Sequence, residues 1–290
     1  MSILVLGAGG QLGRTFHQML TQRNAIAAFA DRGAIDLQYD HNILNGLNNA
    51  APTVVINCAA YTAVDRAEDE LELAYCINAA AVRTIADWCA INDAVMIHYS
   101  TDYVFDGAKS APYEEADNPN PESVYGKSKL AGELAFQDAG CRGICFRTSW
   151  VHSDFGANFL SSMRRLFAEQ EEVRVVDDQF GVPTTTRFIV ENSLALLRSD
   201  IGKTHPAVPL HLVPSGSTSW HGFAEYIHTK MAEAGTDMKC KAVTPISTLD
   251  FPQKARRPQN SILDNSRLGA LLQRKIPSWP SIHDQLYDLV

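Results

Sequence analysis

Tyr125 and Lys129 stand four residues apart in the stretch PESVYGKSKLAGE, residues 121–133. On a helix, side chains at that spacing share one face and can reach into the same cleft. A phenol with an ordinary pKa of about 10 is a sluggish acid at neutral pH, and a neighbouring ammonium favours its phenolate and lowers that value. The pair therefore has the composition of a proton donor and the cation that tunes it. The same lysine could hold a ribose hydroxyl, and the pair could also be two ordinary residues of a solvated helix face. A second constellation precedes it. The run YSTDYVFDG, Tyr99 to Gly107, closes an apolar stretch with Ser100, Thr101, Asp102 and Tyr103. At the carboxyl end of a parallel strand these side chains face the ligand crevice.

A third group carries no side-chain chemistry. GAGGQLG places Gly7, Gly10 and Gly13 at three-residue intervals, directly after the apolar run Ile3–Leu6 and before a helical pattern containing Gln11 and Leu12. Such a loop makes a tight turn, lets the backbone approach a pyrophosphate, and presents the N–H groups of a helix N-terminus to it. Asp31, at the end of the next apolar run, is placed to accept from a ribose hydroxyl, whereas Arg32 beside it suits a 2′-phosphate. The two signals oppose each other, so NADH and NADPH both remain open. Asp36 and Leu37 follow where an adenine could rest. Ala59, Ala60 and Tyr61, in NCAAYT, end a third apolar run whose small residues allow close approach of a cofactor.

The elements that must position these groups are legible in the hydrophobic pattern. SILVLG, AIAAFAD, TVVINCAA, AVMIHYS and GICFRTSW are short apolar runs. Between them lie helical patterns: Gln11–Gln22, a stretch in which Ala74, Ile77, Ala81, Ile85 and Trp88 mark one buried face, and the segment after Val124. Strands apolar throughout and separated by helices predict a doubly wound parallel-sheet α/β domain of the Rossmann type. We expect residues 1–151 to form this dinucleotide-binding domain, with a return segment near 186–213 in which PLHLV rejoins the sheet. Residues 152–185 and 214–290, with helices near Asn158–Glu169 and Trp220–Ala234, are expected to build a smaller mixed α/β substrate-binding domain.

Composition narrows the function classes. The net charge of −8 argues against a broad nucleic-acid or anionic-membrane surface. No apolar run reaches membrane-spanning length, and the N-terminus lacks a basic signal-peptide region, so a cytoplasmic location is expected. Six cysteines without a CxxC pair and nine histidines without an HExxH spacing predict no metal centre.

The stretches GAGGQLG, AAYTAVDRAE, HYSTDYVFDG, SVYGKSKLAGE, FRTSWV and RRPQNSIL occur in order across essentially the whole chain. Together they resemble the dTDP-4-dehydrorhamnose reductases, a family of the extended short-chain dehydrogenase/reductase superfamily. The glycine loop and the tyrosine–lysine pair mark only the superfamily; STDYVFDG, RTSWV and RRPQNS mark the reductase branch. The resemblance implies reduction of the C4 ketone of dTDP-4-dehydro-L-rhamnose by NADPH or NADH, giving dTDP-L-rhamnose, the final step of that sugar's biosynthesis. It implies Thr101, Tyr125 and Lys129 as the catalytic trio, with Thr101 polarising the carbonyl and Tyr125 protonating the alkoxide. It further implies that Thr62, Val64, Asp102, Tyr103 and Trp150 line the sugar site. A strand-end aromatic such as Trp150 can cover a sugar, although a core role suits it equally. Arg256, Arg257 and Asn260, in RRPQNS, would meet the nucleotide, one of the two arginines taking the diphosphate.

The chain departs from the family at one point. Some members bridge a dimer through magnesium held by glutamates, and the matching positions here are Thr15 and Arg187. Neither suits that cation. A monomer or a metal-free homodimer is expected. Two other readings compete: an epimerase or dehydratase of another nucleotide sugar, and a non-catalytic NADP-binding regulatory subunit of a methionine adenosyltransferase.

Overall fold

The computed structural model describes residues 1–199 and 209–287, with side chains through Asp284. Six parallel strands form the central sheet: β1 (Ile3–Leu6), β2 (Ala27–Ala30), β3 (Val54–Asn57), β4 (Val95–Thr101), β5 (Arg142–Thr148) and the short β10 (Leu210–His211). Their spatial order is β10-β5-β4-β3-β1-β2. The chain thus leaves β1 toward one side for β2 and returns to its other side for β3, which opens a crevice at the carboxyl ends of β1 and β3. PLHLV does rejoin the sheet, pairing Leu210 with Phe146. Residues 200–208 of the expected return segment lie outside the described residues.

Helices cover both faces. The helices α1 (Gln11–Gln22) and α8 (Thr186–Arg198) pack on one side, and α2 (Asp40–Ala50), α5 (Ala81–Ile91) and α6 (Val124–Asp138) on the other. On the first side Phe16 and Phe146 flank Tyr99, all buried, with the Tyr99 and Phe146 rings stacked 5.7 Å apart. On the second, Ile43, Leu47, Val82 and Ile85 are wholly buried against Leu4 and Val55. Burying each such side chain contributes roughly 1.5–3 kcal/mol, so the sheet is held rigid beneath the crevice.

The expected helix through Ala74 and Trp88 is not regular. The short helices α3 (Val64–Ala67) and α4 (Leu71–Tyr75) lead into a π-helical turn, Cys76–Ala80, before α5 begins. The wider turn shifts the inward face by one residue. Asn78 is 1% exposed, whereas Ile77, expected inside, is only partly buried. Asn78 is fully used there: its Oδ1 accepts from the Tyr61 amide at 2.8 Å, and its Nδ2 donates to the Tyr61 carbonyl and to Ser128 Oγ, both at 3.0 Å.

After β5 the chain builds three small ladders. They pair β6 (Val151–His152) with β9 (Thr184–Thr185), β7 (Glu172–Val176) with β12 (Ala242–Ile246), and β8 (Phe180–Gly181) with β11 (Thr218–Ser219). With α7 (Phe159–Glu169) and α9 (Trp220–Glu233) they enclose a separate apolar cluster that includes Phe167, Val182, Phe223 and Ile227. The C-terminal segment is shared. The segment from α10 (Ser266–Leu272) to α11 (Trp279–Tyr287) sends Leu268, Ile276 and Ile282 to the core of the main sheet.

Candidate active site

Outside the carboxyl ends of the strands lies a cleft of about 1030 Å³. At one end the loop after β1 enters α1. Gly7 adopts φ +74°, and a Cβ there would lie 2.6 Å from the Ala59 amide, so β3's end and the glycine loop meet backbone to backbone. Gly13 does not line the cleft; a Cβ on it would stand 2.3 Å from the Gly7 carbonyl, which makes it the packing glycine of the turn. Gly7, Gly10, Gln11 and Leu12 line the cleft, and no side chain caps the first turn of α1. Its N–H groups are thus available to an anion. Asp31, Arg32, Asp36, Leu37, Ala59, Ala60 and Tyr61 line the same end. Asp31 Oδ1 is occupied by the Gly33 and Ala34 amides, while Arg32 is largely exposed and loosely paired with Asp36 at 3.7 Å. These residues fit an elongated dinucleotide: phosphates on the helix end, a ribose or its phosphate at Asp31 and Arg32, and a flat group beside Leu37.

At the other end β4 outruns β3. Pairing with β3 stops at His98, and Tyr99 to Thr101 continue along β5 alone. Thr101 is therefore carried to the floor of the cleft. Its Oγ1 accepts from the Tyr103 amide at 3.2 Å and caps the short turn Asp102–Val104. Ser123 starts α6 by accepting from the Gly126 amide at 3.1 Å. Gly126 lets the helix press on that turn, since a Cβ there would meet the Tyr103 carbonyl at 2.2 Å. Tyr125 and Thr101 come together as a result. The Tyr103 and Tyr125 rings meet edge to face at 5.7 Å, and both Thr101 and Tyr125 line the cleft.

The electrostatics differ from the tuning expected of the pair. Burial pushes the Tyr125 phenol up to about 12, with Thr101 opposing the rise and Asp102 adding to it. Lys129 is 2% exposed, and burial brings its ammonium down to about 8, with Cys145 and Glu133 opposing. Its Nζ donates to the Tyr99 carbonyl at 2.5 Å. The ammonium is thus held by the backbone of β4 and does not lower the phenol. One turn further along α6, Glu133 makes a buried fork to Arg147 of β5 at 2.7–3.2 Å. Asp102, 2% exposed, is pushed up to about 6 by burial, against hydrogen bonds that include Ser261 and Thr101.

Thr62, Val64, Asp102, Tyr103 and Trp150 all line this end of the cleft. Trp150 sits in the left-handed region, at φ +45°, which is uncommon for a bulky residue. Its indole stacks on Trp220 at 3.5 Å and 6°, and Trp220 leans on Phe159. Trp150 therefore joins the two roles left open for it, packing on one face while lining the cleft. Arg256, Arg257 and Asn260 do not line it. Arg256 pairs with Glu122 at 2.8 Å, and Arg257 with Asp65 of α3 at 2.8 Å while lying 5.8 Å from the centre of the Tyr103 ring. Asn260 donates to the Lys109 and Ala111 carbonyls, a loop-fixing role. Lys254 pairs with Asp69, so three ion pairs clamp the basic loop over α3 and the start of α6. At the expected metal positions, Thr15 bonds the Gln11 carbonyl and Thr186, and Arg187 pairs with Glu191.

Reasoning from the sequence missed two residues that line the cleft, Trp220 and Asn158, and one, Asn78, that holds Tyr61 in place there. Asn78 sits inside a helical pattern that gives no sign of a π turn. Trp220 follows a Ser cap and reads as an ordinary first helical residue. Asn158, which lines the cleft, reads only as a helix cap.

A glycine loop on the first strand of a doubly wound sheet, facing a Thr–Tyr–Lys group at the fourth strand and the helix after it, defines a nicotinamide-dependent oxidoreductase of the short-chain dehydrogenase/reductase type. The family model described as RmlD substrate binding domain matches residues 1–289. The dTDP-4-dehydrorhamnose reductase of Burkholderia thailandensis is 39% identical, the match covering 96% of this chain and 95% of that protein. The Escherichia coli K12 enzyme of the same name is 36% identical over 96% and 94%. A crystal structure of dTDP-4-dehydrorhamnose reductase from Bacillus anthracis, in complex with NADP, superposes with a TM-score of 0.91 at 33% identity, covering all of both chains. The chain belongs to the RmlD family of dTDP-4-dehydrorhamnose reductases.

Proposed function

We propose that this protein reduces the C4 ketone of dTDP-4-dehydro-L-rhamnose to dTDP-L-rhamnose with NADPH or NADH. The observation that carries the reading is the convergence of Thr101, Tyr125 and Lys129 in the same cleft as the glycine loop. Bound along that cleft, the dihydronicotinamide dinucleotide supplies the hydride that reaches C4. Thr101 holds the carbonyl oxygen, and Tyr125 delivers the proton that turns the developing alkoxide into an alcohol. Lys129, held by the Tyr99 carbonyl, would hold the cofactor ribose. Tyr103 and Trp150 border the sugar, and Asp31 and Arg32 together accommodate either cofactor.

The domain division at residue 151, with the later ladders forming the substrate side, belongs to the same reading. So do a cytoplasmic location, action as a monomer or metal-free homodimer, and the absence of nucleic-acid and membrane partners. Among the described residues no helix is long and apolar enough to cross a membrane. Neither the regulatory-subunit nor the epimerase alternative is favoured by the relatives, which carry the reductase name across nearly full length. Purified protein is expected to oxidise NADPH only when dTDP-4-dehydro-L-rhamnose is added. Absence of turnover together with capture of a methionine adenosyltransferase would reverse the assignment.

A further inference from the structure

Thr101 has one hydroxyl hydrogen, and the site already commits it. The Tyr103 amide can only donate, so one Thr101 lone pair receives it at 3.2 Å. Asp102 Oδ1 lies 3.0 Å from the same oxygen. If Asp102 is a carboxylate it can only accept, and the Thr101 hydrogen must point at it. Tyr125 stands beside this hydroxyl, and Thr101 favours its ionised form. In that state the Thr101 hydrogen points away from any ketone in the cleft. The network is complete and unproductive.

Resting on the reductase reading, we propose that Asp102 works as a neutral carboxylic acid that turns this network around. Protonated, its O–H donates to Thr101, and the Thr101 hydrogen is released to the ketone oxygen. Asp102 is thus a positioning residue for Thr101. Two further features agree. The second carboxylate oxygen, Oδ2, is buried and has no hydrogen-bond partner among the described residues, a costly state for a carboxylate and a tolerable one for an acid. Burial has also brought Asp102 to about 6, within reach of protonation near neutrality.

Hydrogen bonds from Ser261, Thr101 and the Asp102 and Tyr103 amides favour the carboxylate, and burial outweighs them. Tyr125 from α6 and Tyr103 from the same turn both respond to Asp102 as a neighbouring negative charge. Ser261 contributes a hydroxyl from the C-terminal loop. Lys129 is held by the Tyr99 carbonyl, and Arg257 is paired with Asp65, its guanidinium 5.8 Å from the centre of the Tyr103 ring. Cofactor and sugar filling the cleft exclude more water and favour the neutral acid further.

Two measurements test this, one of them independent of turnover. Carbon-13 NMR of carboxyl-labelled aspartate, with Asp102 assigned through D102N, is followed against pH in the free protein and with NADP⁺ plus dTDP. The Asp102 midpoint is expected to rise by about one pH unit or more on filling the cleft. An Asp102 that remains ionised at pH 5 in that complex overturns the proposal, whatever substrate the enzyme takes. With NADPH and dTDP-4-dehydro-L-rhamnose, kcat of the wild type is expected to fall on the alkaline side. D102N, whose amide always has a hydrogen for Thr101, should raise the ratio of kcat at pH 8.5 to kcat at pH 6 by about fivefold or more, and should exceed D102A by roughly tenfold in kcat. A wild-type kcat that rises through this range, or equal losses in D102N and D102A with an unchanged pH slope, contradicts the proposal. Failure of the reductase reading is separate: it appears as no oxidation by the wild type, and leaves the NMR result to decide.

Discussion

At the scale of single residues, Tyr125 and Lys129 carry opposite burdens. Tyr125→Phe removes the hydroxyl that acts in the transition state and little else. Turnover should fall by about 100-fold or more while the NADPH dissociation constant changes less than about twofold. Stopped-flow reduction and fluorescence titration separate the two; near-normal kcat would remove Tyr125 from the mechanism. Lys129 is an ionised group in a dry site, at about 8 against an ordinary 10.5. Below pH 8 the folded protein must bury an ammonium that the unfolded chain exposes to water. Between those two values the unfolded state binds more protons than the folded one, so wild-type stability rises with pH across that window. Lys129→Met should therefore unfold later than wild type at pH 7, by about 1–3 kcal/mol, although it loses turnover. Denaturant melts at pH 7 and pH 10 should show the advantage shrinking as pH rises. A variant equally destabilised at both values would show that the lysine is structurally required.

At the scale of elements, close approaches decide the geometry. A Cβ on Gly181 would stand 2.5 Å from Cε2 and Nε1 of Trp150, whose other face is closed by Trp220. Gly181→Ala should push the indole off its seat, costing about 1–3 kcal/mol as overpacking. The expected kinetic signature is a several-fold rise in KM for the nucleotide sugar with NADPH binding preserved; unchanged KM would mean that Trp150 does not border the sugar. Much of this scale was readable in advance. The strands β1, β3, β4 and β5 are apolar runs bounded by turns, and α1 coincides with the expected Gln11–Gln22. The π turn was not readable, because Asn78 reaches inward only through partners on β3's exit loop and α6, residues 17 and 50 positions away in the chain. The Trp150–Trp220 stack was hidden for the same reason, since no periodicity records a contact across 70 residues.

At the scale of the whole molecule, one side chain ties the cofactor end to the later ladders. Gln11, in the first turn of α1, accepts through Oε1 from Ser153 at 3.1 Å and from Asn158 at 2.9 Å. Those residues lie just beyond Trp150, so the Gln11 amide joins the glycine loop to the sugar side. Removing it loses two ordinary hydrogen bonds, each worth about 0.5–1.5 kcal/mol. Gln11→Ala should weaken NADPH binding and raise the sugar-nucleotide KM together, each by roughly three- to tenfold. Isothermal titration and initial rates would show it, and an effect confined to one ligand would argue that the two sides act separately. The basic loop marks the limit of reading function from sequence at this scale. RRPQNS identified itself by its arginines, but their ion pairs with Asp65 and Glu122 depend on how α3 and the start of α6 fold beneath it.

The acceptor that holds Lys129 is the carbonyl of Tyr99, a main-chain atom. Every amino acid at position 99 supplies the same oxygen, so alanine scanning passes over it and sequence variation there leaves it untouched. An amide-to-ester exchange between Tyr99 and Ser100, which weakens the carbonyl as an acceptor without altering a side chain, is the change that reaches it. Part of this active site is thus inherited through the path of the backbone and never appears in the alphabet of side chains.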